Sequence, residues 1–419
     1  MFNFDFIKSI KKKIFPFYKN SDLKFVFKKL HEDSKNQSKS AMFVGGCVRK
    51  YLLNQDIDDI DIATSLTTDQ IKDKFKGTKF KIIDTGIKHG TVTLVSKKLK
   101  LELTTLRKDI KTDGRHAEVI YTDDWIADSK RRDVTINAIY LDIDGKIYDF
   151  QNGVQDLKKN VVRFIGDPSK RIQEDYLRII RFIRFAIQYD SNTDHETIKA
   201  LKLNLDGIKS LSKERILDEL LKILKLNNFD NILKHENKKT IFLLIFPEFK
   251  NINKIAKLKY FKNSKNLINT IIILAILLFD KPNNYEYFCY KYKTSNKINE
   301  SLNLLFKLYN EFKLNINFFK KDLRKNVYLY GDGKVKNIAI LDFFEKSKMT
   351  LNDLNKITNK IEKVKIPKFN FDGSYLKEKG MKEGALIGKT LKLIENEWLN
   401  NEFKISNQRV EEIIKNQNN

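Results

Sequence analysis

A two-glycine turn followed closely by an alternating acidic run constrains this chain more than any other feature. Ala41-Met42-Phe43-Val44 is a short apolar run of the kind that forms a buried strand, and it ends at Gly45-Gly46. Adjacent glycines let backbone N–H groups approach a ligand with no Cβ in the way. The residues that follow, Cys47 to Leu53, have helical character, so the turn and helix start together would offer unpaired donors to a polyphosphate, with Arg49 adding a forked cation. Ten residues beyond Arg49, Asp59-Ile60-Asp61-Ile62-Ala63 alternates acidic and apolar residues. On a strand this places both carboxylates on one face and both isoleucines in the core. Paired carboxylates repel unless a cation lies between them, and Mg²⁺ takes one or two carboxylates plus substrate phosphates. Each half alone also reads as an ordinary Gly-Gly turn or an acidic surface strand. In this order and spacing, the two together point to nucleotidyl transfer.

Charge supports a polyanionic partner. The chain has 419 residues, enough for two to four domains, and its 80 Lys+Arg against 54 Asp+Glu give a net charge of +26 and a pI near 9.6. Much of that is lysine in a Lys-, Asn- and Ile-rich chain, a bias that genomic base composition alone can produce. Arginine escapes this objection: only 13 of the basic residues are Arg, and 11 of those lie between Arg49 and Arg215. A chain that defaults to Lys concentrates Arg where a planar fork is needed. Cys47 and Cys289 are too few and too far apart for a disulfide framework or zinc site, and the five histidines lack metal-ligand spacing, so a reducing cytosol is expected. Met1 to Phe17 reads as a packing helix rather than a targeting segment. Leu267 to Phe279, the most apolar stretch, falls short of the roughly 20 residues of a membrane span and reads as a buried helix.

The fold expected is α+β: a mixed-sheet head followed by an all-α remainder. Beyond the acidic strand come a helix opening at Thr67-Thr68-Asp69, then strands near Phe80 to Ile83, Thr91 to Val95, Leu99 to Thr105 and Ile136 to Ile143. After Asp156 the pattern is helical nearly throughout, and the whole chain has only five prolines to interrupt it. The boundaries expected are a helical extension over 1–38, a head over 39–150, a helical neck over 151–235, and a helical body and tail over 236–419.

Three further constellations carry chemistry. In Leu101-Glu102-Leu103, alternation again sets an acid opposite leucines, and a neighbouring strand would bring Glu102 beside Asp59 and Asp61, to orient or deprotonate an attacking hydroxyl. An exposed strand glutamate is also unremarkable by itself. In Arg131-Arg132-Asp133-Val134-Thr135-Ile136-Asn137, one arginine is expected on nucleotide phosphates while Asp133 and Asn137 fix the local backbone; otherwise the pair is a charged strand entry. Glu174 to Phe185 reads as one helix on which Asp175, Arg178 and Arg181 form a connected polar track, with Arg184 further round. A salt-bridged surface helix has the same pattern. Cytosine and adenine, however, both show an exocyclic amine beside a ring-nitrogen acceptor, so a carboxylate and a guanidinium would admit C and A and leave U and G with unpaired polar groups.

These residues, in unbroken order from Phe43 to about Leu220, resemble the class II tRNA nucleotidyltransferases, the CCA-adding enzymes of the polymerase β superfamily. The motifs are Gly45-Gly46-Cys47-Val48-Arg49, Asp59-Ile60-Asp61, Arg131-Arg132-Asp133, the Glu174 to Phe185 segment and Glu214-Arg215-Ile216 leading to Glu219-Leu220. A weaker likeness covers Gly384 to Gly388 and Trp398. The resemblance implies a hook of head, neck, body and tail, Mg²⁺ at Asp59 and Asp61 with Glu102 as third acid, and nucleotide contacts from Gly45, Gly46, Arg49, Arg131 and Arg132. It also implies base selection by Asp175 and Arg178, supported by Arg181 and Arg184. Arg107 to Ala117, with Asp113, Gly114, Arg115 and His116 at its centre, looks like the flexible loop that CCA-adding members use to switch from C to A, and His89-Gly90-Thr91-Val92 resembles the CCA branch. One departure stands out: the family usually has an acid after Arg49, and this chain has Lys50. The partners implied are the tRNA 3′ acceptor end, CTP and ATP, with no membrane, for a monomer or weak dimer. CC-adding, A-adding and poly(A)-adding relatives, and a non-catalytic RNA binder on the same fold, are the alternatives.

Overall fold

The computed structural model describes residues 20–32, 40–86, 90–113, 116–262, 267–281 and 283–418. Met1 to Phe17, read above as a packing helix, lies outside them, as do His89, Gly114 and Arg115. The described residues form two compact units. One runs to Lys250 and includes Tyr290–Lys293; the other comprises Asn251–Cys289 and Thr294–Asn419.

The first unit opens with α1 (Ser21–His31), capped by the Asn20 side chain, and then a seven-stranded sheet. Its strands are β1 (Ala41–Val44), β2 (Ile60–Thr64), β3 (Lys81–Gly86), β4 (Thr91–Val95), β5 (Lys100–Thr105), β8 (Ile139–Leu141) and β9 (Ile147–Asp149), in the order β3-β4-β5-β2-β1-β8-β9. Only β2 and β5 pair in parallel; the other neighbours are antiparallel. All four β1 residues are buried, as their apolar run requires, and Gly45 turns the chain at φ +73° into α2 (Gly46–Leu52). Thr67 and Gln70 form a reciprocal capping box that starts α3 (Thr68–Phe75).

Two sequence expectations are corrected here. Asp59 precedes β2 rather than belonging to it, and Ile60 is only half-buried, because the strand enters the sheet at its rim; Ile62 is the isoleucine that reaches the core. The strand expected over Ile136 to Ile143 is a 3-10 turn, Thr135–Asn137, followed by the short β8. The turn satisfies its backbone locally, with Asn137 and Ala138 N–H groups bonding Val134 and Thr135 carbonyls, and so redirects Asn137.

The segment expected as a flexible loop forms a hairpin. β6 (Arg107–Asp113) pairs antiparallel with β7 (His116–Tyr121), with Asp113 opposite His116, because extended pairing satisfies the backbone groups of both arms. After α4 (Trp125–Arg131) and the last two strands, the unit becomes helical: α5 (Gly153–Lys158), α6 (Pro168–Glu174), α7 (Leu177–Gln188), α8 (His195–Leu203), α9 (Lys213–Leu224) and α10 (Glu236–Ile245). On α7, Ile179, Ile180, Phe182, Ile183 and Phe185 are buried. Each contributes about 2 kcal/mol of apolar burial, so tertiary packing fixes this helix.

The second unit is all-helical. Thr270–Leu278, apolar after its first residue, packs on Asn296–Leu314 and Asp332–Glu345, the buried helix expected of that stretch. Leu376, Met381, Ile394 and Val410 form a separate core for the last three helices, Gly373–Glu378, Ala385–Asn400 and Asn407–Asn418. Lys356, Lys360, Lys365 and Lys368 are exposed, as a solvated basic face would be.

Candidate active site

The sheet rim and α7 enclose a cavity of about 610 Å³. Gly45, Gly46, Arg49, Asp59, Asp61, Arg131, Arg132, Asp175, Arg178, Arg181 and Arg184 all line it, so residues scattered over 140 positions of sequence converge. Glu102 is placed by register instead: it lies opposite Asp61 in the parallel β2–β5 pair, with Leu101 and Leu103 fully buried on the other face.

Carboxylates crowd one side. Burial, then the charges of Glu102 and Asp59, push the Asp61 carboxyl up to about 6, against the pull of Arg132 and Arg49. Gly45 abuts this group: a Cβ there would stand 3.4 Å from Asp61 Oδ2, at a φ that side chains rarely adopt. Among the described residues no three acids, histidines or cysteines form a metal-holding cluster. The donor set nevertheless fits a divalent cation shared between two carboxylates and phosphate oxygens, because Asp61 is pushed toward protonation by burial and then by Glu102 and Asp59, and a cation there would offset that crowded negative charge. Lys50, the departure noted in the sequence, contacts Asp58, whose Oδ1 also accepts from the Asp59 N–H at 2.9 Å. Lys50 therefore ties α2 to the residue just before Asp59.

Arginines crowd the other side, and each has a different role. Arg49 Nε donates to the Tyr189 hydroxyl at 2.9 Å and Nη1 to Asn137 Oδ1. Asn137 is anchored by Asp133, which accepts from Asn137 Nδ2 at 2.6 Å, from the Val134 N–H at 2.9 Å, and from Arg181 Nε and Nη2 at 2.8 and 2.6 Å. Burial acts to raise the Asp133 carboxyl, but Arg181 and the bond from Asn137 win and hold it well below the usual carboxylate range. Asp133 thus fixes more than the local backbone: it joins the head to α7.

The connected track expected on one helix is not present. The helix breaks at Asp175, which ends α6 in an extended conformation; its Oδ1 then accepts from the Leu177 N–H at 3.1 Å at the start of α7. Asp175 pairs with Arg215 Nη2 at 2.7 Å, while Arg178 contacts Glu174 and donates to the Arg171 carbonyl at 2.7 Å. Arg184 Nε bonds Glu219 Oε2 at 2.8 Å, and Arg181 reaches the other oxygen at 3.6 Å. The break is physical: Asp175 bonds the backbone forward of itself, which competes with continuing a helix. Arg215 and Glu219, noted only as parts of a motif, are partners of Asp175, Arg181 and Arg184, and nothing in their spacing shows it.

Arg131 and Arg132 converge on Asp128, which is fully buried on α4. Tyr140 Oη donates to the same carboxylate at 2.7 Å. The i,i+3 and i,i+4 spacing from Asp128 was the available signal for this hub. Burial acts to raise its pKa, but Arg132, Arg131 and the Tyr140 bond outweigh it and hold it near 2, below its ordinary 3.8. Its stabilising contribution, roughly 2 kcal/mol, is fully present above pH 4 and is lost as pH falls through about 2. Asp128→Asn is expected to cost a similar or greater amount, about 3 kcal/mol, by leaving two guanidiniums facing a neutral amide. Urea denaturation at pH 7 and pH 3 checks both: the wild-type loses stability between them and the variant loses less.

Residues 41–163 match the family model described as the poly A polymerase head domain, and residues 192–253 match a probable RNA and SrmB-binding site of polymerase A. The chain is 33% identical over 391 residues to the mitochondrial CCA tRNA nucleotidyltransferase 1 of Homo sapiens, covering 88% of this chain and 85% of that protein. It is 33% identical over 303 residues to the CCA-adding enzyme of Staphylococcus aureus (strain Newman), covering 72% of each. Its fold is similar to the crystal structure of the Bacillus stearothermophilus CCA-adding enzyme in complex with CTP, with a TM-score of 0.70 at 22% identity over 94% of this chain and 96% of that one. It is also similar to the Thermotoga maritima CCA-adding enzyme complexed with tRNA, with a TM-score of 0.60 at 20% identity over 94% and 95%. With the motif order, the cavity chemistry and these similarities in agreement, the chain belongs to the CCA-adding tRNA nucleotidyltransferase family.

Proposed function

We propose that this protein adds C, C and A in turn to the 3′ end of tRNA from CTP and ATP, without a nucleic-acid template and with release of pyrophosphate. The observation that carries the reading is the convergence, in one cavity, of the Asp59/Asp61 acid pair at a glycine turn with the arginine-rich face of α7. Asp59 and Asp61 would hold Mg²⁺, which when bound supplies Lewis-acid stabilisation of charge at the α-phosphate. Glu102, across the register from Asp61, orients the tRNA 3′-hydroxyl and takes its proton. Gly45 and Gly46 admit the triphosphate close to the backbone, while Arg49, Arg131 and Arg132 direct their charge into the cavity that receives it.

Base selection falls to Asp175 and Arg178. A carboxylate accepting from an exocyclic amine beside a guanidinium donating to a ring nitrogen suits C and A and rejects U and G. Asp175 and Arg178 are already hydrogen-bonded to Arg215 and Glu174, so a base meets preorganised groups. The hairpin carrying Asp113 and His116, and the adjoining Gly114 and Arg115, is assigned the switch from C to A. Residues 39–150 act as catalytic head, 151–235 as the selecting neck, and the Lys-rich helices of 236–419 hold the acceptor arm by backbone contact and shape. No helix among the described residues is long and apolar enough to cross a membrane. The two buried free cysteines suit a reducing compartment, and we place the chain in the cytosol.

The test is extension of a tRNA ending at its discriminator base, with Mg²⁺ and each labelled NTP alone and then CTP plus ATP, resolved at single-nucleotide length. Growth by three residues only with both nucleotides is expected. A stop after two C residues, addition of A alone, a long A tail or no growth overturns the assignment in favour of the corresponding alternative.

A further inference from the structure

Phe185 stands at the centre of the arginine cluster without a charge of its own. Its ring is 1% exposed and forms part of the cavity wall. Three guanidiniums face it, with Cζ atoms 4.1 Å (Arg184), 5.1 Å (Arg49) and 5.9 Å (Arg181) from its centroid. Phe182, one turn earlier on the same helix, does something different: it stacks on Phe164 in the core, with centroids 4.8 Å apart. An aliphatic side chain would satisfy the packing at 185 as isoleucines do elsewhere on α7. Only a ring offers guanidinium groups a face of negative potential.

The three arginines are not equivalent. Arg181 is neutralised by Asp133 and Glu219, and Arg184 by Glu219. Among the described residues, the direct partners of Arg49 are the neutral groups Tyr189, Asn137 and the Phe185 ring. Arg49 is 8% exposed, so its charge is neither hydrated as on a surface nor cancelled by a paired carboxylate.

We propose that Phe185 is a positioning residue for nucleotide binding: its π face holds the Arg49 guanidinium apart from Arg181 and Arg184, leaving Arg49 as the uncancelled cation that meets the triphosphate. Tyr189, one turn further on at the C-cap of α7, completes the shelf by accepting from Arg49 Nε, so one end of this helix carries both supports. A carboxylate in either position would fix Arg49 as firmly but would cancel the charge the ligand needs. The inference rests on the proposed nucleotide site.

The test tunes the ring and leaves its volume nearly constant. Phe185 is replaced in the full-length protein by 4-fluoro-, 3,5-difluoro- and 3,4,5-trifluorophenylalanine, which progressively weaken the negative face. CTP and ATP dissociation constants, KM, kcat and melting temperature are measured on each, with F185L as a ring-free variant. NTP dissociation constants and KM are expected to rise stepwise with fluorination, by about tenfold at the trifluoro ring and at least as much in F185L, with the loss borne by KM rather than kcat. Affinity that stays flat across the fluorinated series while F185L weakens shows that the ring only packs, and overturns the inference. Affinity that falls only in step with melting temperature overturns it as well. A wild-type protein that binds neither nucleotide overturns this inference and the nucleotide-site reading together, whereas a binding wild-type with a flat series removes the role of Phe185 alone.

Discussion

Asp61→Ala is expected to reduce nucleotide addition by about 10³-fold or more while tRNA binding persists, since on the proposed metal-site reading several kcal/mol of transition-state charge stabilisation would depend on the carboxylate and each 1.36 kcal/mol is tenfold in rate. Asp61 is the acid on which the whole negative side of the cavity bears. Burial and its two acidic neighbours push it up to about 6, an unfavourable ionisation that nothing in the packing of the sheet requires. It sits where Gly45 leaves room and where Glu102 faces it across the β2–β5 register. The loss should be chemical rather than structural, because Asp61 lies at the sheet rim while Ile62 and Ala63 carry the core packing. Single-turnover extension with saturating CTP measures the rate, and filter binding of labelled tRNA measures the complex. Activity within tenfold of wild-type would remove Asp61 from the metal site.

Asp133→Ala is expected to be the most disruptive change on the opposite side, costing about 4 kcal/mol of stability and abolishing measurable NTP binding. The carboxylate is 8% exposed and accepts from Arg181, Asn137 and the Val134 N–H at once. Its removal leaves Arg181 with the 3.6 Å ion pair to Glu219 and the Phe185 ring face, and frees Asn137, the group that holds Arg49. The dominant cost is a half-buried guanidinium that loses both hydrogen bonds to its nearer carboxylate, and it follows that Asp133→Ala combined with Arg181→Met should be more stable than Asp133→Ala alone. Urea titrations of the two single variants and the double variant test this. A cost below about 1 kcal/mol for Asp133→Ala would show that the site does not depend on this junction.

The sequence was most informative where function imposes unusual local chemistry. The glycine turn after an apolar strand, the spaced acids and the concentration of arginine between Arg49 and Arg215 identified the lining of the cavity, and six of those eleven arginines are in it. Local signals also placed β1, β4 and α3 where they occur, the last through the Thr67–Gln70 capping box. The sequence misled where a local alternative to regular structure was available. Asp175 bonds forward to Leu177 and breaks what periodicity presents as one helix, and the 3-10 turn at Thr135–Asn137 replaces the start of a strand. Arg107 to Ala117 is a flexible loop only by resemblance to the family, and its two arms pair as strands.

What the sequence by itself determined is the family, the α+β division and most of the residues that line the cavity, because these depend on residue type, periodicity and spacing along one strand or helix. What only the tertiary structure decided is which charges are spent on the protein and which remain for a ligand. Arg178 is matched with Glu174 within helical reach, but Arg181 finds Asp133 and Glu219, Asp175 finds Arg215, and Arg49 finds Tyr189 and Phe185. These partners are between 35 and 140 residues apart for every hydrogen-bonded or ion pair except the first. Electrostatic strength depends on separation in space and on exclusion of water, and neither is written in a linear pattern until strands and helices have packed.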